Sequence, residues 1–290
     1  MTRQPLVARR AEDLLGAAVV ATAPIAGGDI ANATRLRLSN GTTALMKTLP
    51  HAPDDFFESE AHGLRWLAEA GGVQVPEVLA VDHECLIVAW VEPGKNTVDA
   101  AAAFGRQLAA THAAGADGFG AAADGYIGKL PLPNRPADTW AEFYAVRRVL
   151  PYLKLARDRG AADEEQAATI EALVARLPDL VPAEPPARLH GDLWNGNVLW
   201  GLDGNVWLID PAAYGGHREV DLAMLALFGL PHLPRVLDAY HEAAPLADGW
   251  EDRVGLHQLF PLLVHACHFG HGTGGAGYGA RAGDAARTLL

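Results

Sequence analysis

Two nearby segments constrain this chain more than any others: Arg188-Leu189-His190-Gly191-Asp192-Leu193-Trp194-Asn195-Gly196-Asn197-Val198-Leu199-Trp200 and Leu208-Ile209-Asp210-Pro211. Four residues separate Asp192 from Asn197, and the apolar run Val206-Trp207-Leu208-Ile209 leads into Asp210. Phosphoryl transfer asks for these parts in this order. A carboxylate accepts or orients a hydroxyl proton, and an amide oxygen one short loop later reaches a divalent cation. A second carboxylate at a strand end then faces the same ion. Mg²⁺ suits such oxygen donors, since it is held by one or two protein groups together with substrate phosphates and water. Asp192 is therefore expected to be the catalytic base, with Asn197 and Asp210 as the metal ligands. Two unrelated turns, at HGD and at Asp-Pro, would explain each piece separately but not the ordered set.

Upstream, residues 6–20 are rich in Ala, Leu and Val and predict one helix ahead of the first sheet. Residues 34–38 alternate apolar and polar, Asn40-Gly41 is a hairpin turn signal, and residues 42–48 supply the partner strand. Gly27-Gly28-Asp29 precedes this hairpin. Two glycines can bring backbone N–H groups to phosphates, although GGD alone fits a plain tight turn better. Residues 54–70 have helical periodicity through Phe57, Ala61 and Leu64, with Glu60 beside the apolar stripe. Lys47 on a strand and Glu60 on the next helix are expected to form the ion pair that holds nucleotide phosphates. Strands are expected over 75–81 and 84–91. The second is almost wholly apolar and runs into Glu92-Pro93-Gly94. That break predicts a hinge near residues 88–94, with adenine meeting main-chain groups of Val88, Ala89, Trp90 and Val91.

From residue 97 the texture turns helical. Helices are expected over 100–113, over 140–159 as one helix or a pair interrupted at Pro151, over 163–177, and from 219 onward. His112 lies on the apolar spacing of its helix and reads as a packed or capping histidine. Residues 115–128 and the prolines after them predict irregular chain. Asp221 either ties its helix to the catalytic stretch or serves the dipole of the helix's first turn. His265, His268 and His271 step by three, which does not match HExxH, and lack a companion cysteine or carboxylate cluster. A structural or substrate-lining role is the expectation there, rather than zinc.

With 290 residues, half of them hydrophobic, the chain can bury a large core in one domain or two close lobes. Its 23 basic and 35 acidic residues give a formal net charge of −12. That balance argues against nucleic-acid or anionic-membrane partners and favours a neutral or cationic substrate. Cys85 and Cys267 are the only cysteines, too few for a disulfide scaffold. No run approaches the ~20 apolar residues of a membrane span, and the N-terminus lacks a signal-peptide core. The expectation is a cytoplasmic setting.

His190-Gly191-Asp192-Leu193-Trp194-Asn195-Gly196-Asn197 resembles the HGDLWSGN signature of fructosamine kinases, also called ketosamine-3-kinases. The resemblance spans nearly the whole chain. Gly27-Gly28-Asp29-Ile30 is similar to that family's nucleotide loop, and Met46-Lys47 and Phe57-Glu58-Ser59-Glu60 to its lysine and glutamate. Trp140-Ala141-Glu142-Phe143 with Arg147-Arg148 resembles its central motifs. Asp210-Pro211-Ala212, Tyr214-Gly215-Gly216-His217 and Glu219-Val220-Asp221-Leu222-Ala223 resemble its next run. His268-Phe269-Gly270 and Gly277-Tyr278 are similar to its C-terminal signature. The resemblance implies an α+β, bilobal, protein-kinase-like fold, with a nucleotide-binding lobe over residues 1–91 and a catalytic and substrate lobe over 92–290. It implies ATP and Mg²⁺ as cofactors and phosphorylation of the sugar 3-hydroxyl of ketosamines; the expected state is a monomer, with a dimer as the alternative. Asp192 would be the base, Asn197 and Asp210 the Mg²⁺ ligands, Gly27, Gly28, Lys47 and Glu60 the phosphate side, and Trp194, His217 and His268 the substrate wall. Asn195 replaces the usual serine and Cys267 a common asparagine, which puts the sugar contact in doubt. Asp29 stands where some relatives carry cysteine, so no redox switch is expected in that loop.

Two other readings compete. One is a kinase of the same fold for another hydroxyl compound, such as an aminoglycoside or a choline-like molecule. The other is a nucleotide-binding scaffold without turnover, against which the intact base counts.

Overall fold

Strand alternation builds the first layer. The computed structural model describes residues 4–26, 30–270 and 273–290. After helix α1 (Gln4–Leu15), strands β1 (Val19–Ile25), β2 (Asn32–Leu38), β3 (Thr43–Thr48), β4 (Val78–Asp82) and β5 (Cys85–Ala89) form an antiparallel sheet in the order β1-β2-β3-β5-β4. Side chains on a strand alternate between faces. Ala44, Met46, Cys85 and Ile87 accordingly pack on one face with Ala11 of α1. Leu86 and Val88 turn to the other, against Phe57, Ala61 and Leu64 of α2 (Phe56–Glu69). Lys47 shares that second face, and α2 lies over it.

The expected helix over 6–20 is corrected. It ends at Leu15, because Gly16 adopts a φ of +63° and Val19 begins β1. Alanine-rich sequence at 17–23 carried too little period to separate helix from strand. The Asn40-Gly41 hairpin forms as expected, with Arg35 opposite Leu45 and Leu36 opposite Ala44.

The segment after β5 is pinned to the second lobe. Gly94 N–H donates to the Trp200 carbonyl at 2.6 Å, and Leu202 N–H to the Glu92 carbonyl at 2.8 Å. Helix α3 (Val98–Ala113) then starts on the Thr97 hydroxyl, which accepts from Ala100 N–H at 3.1 Å. The stretch expected to be irregular carries a small hairpin, β6 (Gly125–Ile127) with β7 (Leu130–Leu132). Chain then runs without interruption through α4 (Trp140–Phe143), a π-helical turn (Tyr144–Val149) and α5 (Leu150–Asp158). Pro151 does not interrupt it: the chain stays helical from Trp140 to Asp158, with the π-helical turn directly before α5, which carries the proline. Helix α6 (Glu164–Val174) opens on an Asp163/Gln166 capping box. It is followed by α7 (Leu177–Leu180), β8 (Ala187–Leu189), β9 (Val198–Trp200), β10 (Val206–Leu208) and β11 (Tyr214–Gly216). The last four form two short antiparallel pairs, β9 with β10 and β8 with β11. Helices α8 (Glu219–Phe228), α9 (Leu233–Ala243), α10 (Val254–Phe269) and α11 (Thr273–Thr288) complete the lobe.

Arg148 and the aromatic residues of the tryptophan motif, Trp140 and Phe143, turn out to build core. Arg148 is wholly buried in the π-helical turn, between the ring faces of Phe143, Tyr214 and Phe260. Its guanidinium donates to the Pro133 carbonyl and to Asn134 Oδ1, both at 2.6 Å. The lobes are those of a protein-kinase-like fold, a β-rich first lobe and a mostly helical second. Among the described residues, no helix is long and apolar enough to cross a membrane.

Candidate active site

The pair β8/β11 aims the catalytic stretch. Leu189 lies opposite Tyr214, and the chain leaves β8 through His190-Gly191-Asp192. Gly191 adopts a φ of +81°, and a Cβ there would overlap the Ala212 carbonyl, so only glycine fits. Asp221, in the first turn of α8, accepts from His190 N–H at 2.8 Å and from Gly191 N–H at 3.0 Å. That settles its two readings: Asp221 ties the helix to the loop. His112 Nε2 stands 3.2 Å from the same carboxylate, and His112 Nδ1 lies 2.8 Å from the Tyr240 hydroxyl. His112 is thus more than a packed helix histidine, since it braces the residue that braces the loop. Burial alone would raise the Asp221 carboxyl, but the His112 hydrogen bond and the nearby imidazoles bring it below its ordinary value.

His190 was read only as part of a signature, yet its ring has a job. Nε2 lies 2.9 Å from the Ile209 carbonyl, and Nδ1 3.3 Å from Asp192 N–H. A carbonyl can only accept and an amide N–H can only donate. The ring is therefore the neutral Nε2–H tautomer, in keeping with burial holding its pKa below the usual value. It links the strand end before Asp210 to Asp192, the expected base.

Asn197 Nδ2 donates to the Asp192 carbonyl at 2.8 Å and to Asp192 Oδ2 at 3.0 Å. The acceptors fix the amide's orientation and turn Oδ1 away from Asp192, free for a cation. Burial pushes the Asp192 carboxyl up to about 7; Asn197 opposes the rise, and Asp210 and Asp221 add to it.

Lys47 Nζ lies 2.7 Å from both oxygens of Glu60 and 2.9 Å from Asp210 Oδ1. The lysine and Glu60 side chains are each 13% exposed, and that of Asp210 is 46% exposed. Burial works against the lysine charge, but Glu60 and then Asp210 outweigh it and hold the ammonium protonated above its usual range. Asp210 has a φ of +53°, a region that aspartate tolerates better than most residues. Its carboxylate meets Lys47, while its carbonyl lies 3.5 Å from Asn197 Nδ2. An oxygen-only donor set, Asn197 Oδ1 and the Asp210 carboxylate beside a phosphate-seeking ammonium, fits a hard divalent cation.

Other expected site residues fall elsewhere. Gly27 and Gly28 lie outside the described residues, as do Asp29 and His271. Along the expected hinge, Ala89 N–H donates to the Glu77 carbonyl at 2.8 Å and Trp90 N–H to the Thr43 carbonyl at 3.2 Å. Those two amides are committed to the sheet, and Val88 lies within the β5 ladder. Among the described residues, the Val91 amide has no such partner. The Trp90 ring turns outward, under Arg35 and hydrogen-bonded to Glu92. Trp194, two residues after Asp192, is half-buried and edge-on to Phe228 at 5.9 Å. His268 is exposed, with Nε2 3.2 Å from the Ile127 carbonyl. His217 is not brought to the cleft wall. It is wholly buried, stacked 5.1 Å from His257 near Trp140, Glu184 and Glu219, and burial pushes its pKa down to about 3. Cys267 also points away from any sugar: its buried thiol donates to the Tyr152 carbonyl at 3.3 Å. Its departure from the signature falls on the core.

Comparisons with known proteins bear on the chain as a whole. A family model described as fructosamine kinase matches residues 4–280. A candidate ketoamine kinase of Thermus thermophilus is 39% identical over 254 residues, covering 87% of this chain and 90% of that one. A crystal structure of a candidate fructosamine-3-kinase from Thermobifida fusca YX-ER1 is 51% identical, with a TM-score of 0.92 and 98% of both chains covered. The choline kinase LicA of Streptococcus pneumoniae, at 14% identity and a TM-score of 0.66, covers 98% of each chain and shares the fold alone. The chain belongs to the fructosamine kinase family and is an ATP-dependent kinase.

Proposed function

We propose that this kinase transfers the γ-phosphoryl group of ATP to the 3-hydroxyl of the sugar in ketosamines, the adducts formed when sugars glycate amines. The carrying observation is that Lys47 joins Glu60 and Asp210 while Asn197 joins Asp192 to the same centre. In the reaction the bond from the γ-phosphorus to its bridging oxygen breaks as a bond to the sugar oxygen forms. The hydroxyl proton passes to Asp192, and ADP leaves. Residues 1–91 serve as the nucleotide lobe and 92–290 as the catalytic lobe, hinged at 88–94. Lys47, ordered by Glu60, contacts the phosphates, with Gly27 and Gly28 covering them. Carbonyls of the hinge and the Val91 amide receive adenine. Asn197 and Asp210 hold Mg²⁺, which supplies charge neutralisation on the phosphates. Trp194 and His268 border the acceptor.

Loss of the sugar phosphate from such a product would regenerate the amine, so the reaction fits deglycation repair in a cytoplasmic, monomeric enzyme. The test is ATP consumption against a panel of ribulosamine and fructosamine adducts, aminoglycosides and choline, with the phosphorylated carbon located by NMR. Turnover of ketosamines at the 3-hydroxyl is expected. Robust turnover of an aminoglycoside or choline with none of any ketosamine overturns the reading.

A further inference from the structure

Helix α2 carries Glu60, yet its first turn is not capped from within. Asp55, the residue before it, makes no side-chain bond to an α2 amide. That carboxylate accepts instead from the Tyr126 hydroxyl of the second lobe, at 2.6 Å. The Tyr126 ring lies 5.1 Å from that of Phe56, the first residue of α2, which is 9% exposed and edge-on to Phe57. Gly125, one residue earlier, lets Ser59 approach: a Cβ there would stand 2.9 Å from Ser59 Oγ. A single short strand, β6, thus meets residues 55, 56 and 59. Glu60 follows Phe56 by one turn along the same face of the helix.

The hairpin that presents Tyr126 is rooted in the second lobe. Tyr152 of α5 donates to the Pro131 carbonyl at 2.7 Å. Asn134 N–H donates to Asp124 Oδ1 at 2.7 Å, which closes the chain around β6 and β7. The side chain of the same asparagine accepts from the buried Arg148 guanidinium. A hairpin so held at its base moves with the second lobe. Farther along α2, the Trp66 carbonyl accepts from Arg188 at 2.5 Å, and Gly63 lies against Pro211, the residue after Asp210. Lys47 rides on the sheet of the first lobe, but the helix bearing its partner is fastened at both ends to the lobe of Asp192 and Asp210.

We propose that Tyr126 is a positioning residue for the nucleotide phosphates: its hold on Asp55 and Phe56 keeps the first turns of α2 where Glu60 reaches Lys47. It rests on the assignment of Lys47 and Glu60 to the phosphate side. Through this hairpin the second lobe sets the reach of an ammonium in the first. A hydrogen bond between partly exposed groups is a modest lever, and it can shift the helix only by its own free energy. Loss of the hydroxyl should therefore cost a few-fold, and loss of the ring against Phe56 should cost more.

Calorimetric titration with Mg·ATP and, separately, with adenosine tests this. Adenosine lacks the phosphates, so a helix acting through Lys47 changes the first affinity and spares the second. Tyr126→Phe is expected to weaken Mg·ATP by roughly two- to five-fold and Tyr126→Ala by more, with adenosine unmoved in both. Glu60→Gln should weaken Mg·ATP further than Tyr126→Phe does. Adding Tyr126→Phe to Glu60→Gln should then change nothing, because the positioned group is already gone. Asp55→Asn, which keeps an acceptor oxygen, should retain most of the affinity that Asp55→Ala loses. Equal losses for Mg·ATP and adenosine would make Tyr126 a packing residue and overturn the proposal, as would full additivity of Tyr126→Phe with Glu60→Gln. An effect of Glu60→Gln with none from either Tyr126 variant removes the brace and leaves the phosphate-side assignment intact. If Glu60→Gln itself leaves Mg·ATP affinity unchanged, both fall.

Discussion

Lys47 Nζ stands 2.9 Å from Asp210 Oδ1, so an ammonium on the central strand of one lobe and a carboxylate of the other meet across the cleft. The same nitrogen is 2.7 Å from Glu60. A lysine held between two carboxylates cannot be removed alone without leaving a sheltered, uncompensated charge. Breaking such a pair from one side costs about 3–5 kcal/mol, whereas replacing both partners costs far less. Lys47→Met should therefore lower unfolding free energy more than Lys47→Met combined with Glu60→Gln. Urea denaturation of the four proteins in that cycle measures the difference. Additive effects would mean that the pair seen here is not formed in solution.

A second prediction concerns Asp192, whose carboxyl is pushed up to about 7. A base must be deprotonated, and kcat/KM reports groups of the free enzyme. Activity as kcat/KM should thus rise with pH through about 7 and level off above it. Asp192→Asn should remove this limb together with ~10²–10⁴-fold of turnover, while nucleotide affinity is retained. Stability moves the other way. In the unfolded chain this carboxyl titrates near ~4, so the folded state holds its proton more tightly. Below pH ~4 both states are protonated and the group costs nothing; as pH rises through the folded value, the native state bears the full cost of ionising it. Asp192→Asn should accordingly raise Tm at pH 8 and leave it nearly unchanged at pH 4. A variant that is stabilised equally at both values would show that Asp192 is not perturbed.

The parts readable from sequence were those with local period or local spacing. Lys47 and Glu60 were placed by strand and helix patterns, and Asp192, Asn197 and Asp210 by their separations. Asn40-Gly41 gave the hairpin register. What stayed hidden depends on tertiary partners. His112 looks like any helix histidine until α9 brings Tyr240 to one ring nitrogen and α8 brings Asp221 to the other. His217 and Cys267 lie in motifs that resemble substrate contacts, but the folded chain turns both inward. Near the hinge, sheet pairing decides which amides are committed, and no side-chain identity reports that. The positive φ of Asp210 had a faint signal in its aspartate-before-proline context, which reads as a turn and not as a device for aiming a carboxylate.

Asp221 offers a third prediction. Its two oxygens serve two backbone amides and an imidazole. Asp221→Asn keeps one acceptor but presents an NH₂ group to a donor, so a buried N–H is left unpaired at about 1–3 kcal/mol. The loop carrying Asp192 should loosen, lowering kcat by more than it changes the KM for ATP. His112→Gln, which retains a polar head, should show the same split more weakly, and His112→Leu should match Asp221→Asn. Loss of stability with kcat intact would restrict the bracing to structure alone.

The last prediction isolates the metal role of Asp210. Substitution by glycine would change two things at once, removing the carboxylate and easing the backbone at a φ of +53°. Asparagine tolerates that backbone region as aspartate does, so Asp210→Asn removes charge while keeping the turn. On the proposed assignment Asn197 and Asp210 would hold Mg²⁺ through oxygens, and an amide oxygen is a weaker ligand than a carboxylate for a hard cation. The variant should need more Mg²⁺ for half-maximal activity, by roughly ten-fold or more if one ligand bond loses ~1.4 kcal/mol, and high Mg²⁺ should restore part of the rate. The same substitution removes one of the two carboxylates holding Lys47, so Mg²⁺-free ATP should bind at least as tightly as to the parent. Calorimetric titration with ATP, with and without Mg²⁺, separates the two effects. Unchanged Mg²⁺ dependence would remove Asp210 from the metal site and leave it only the ion pair with Lys47.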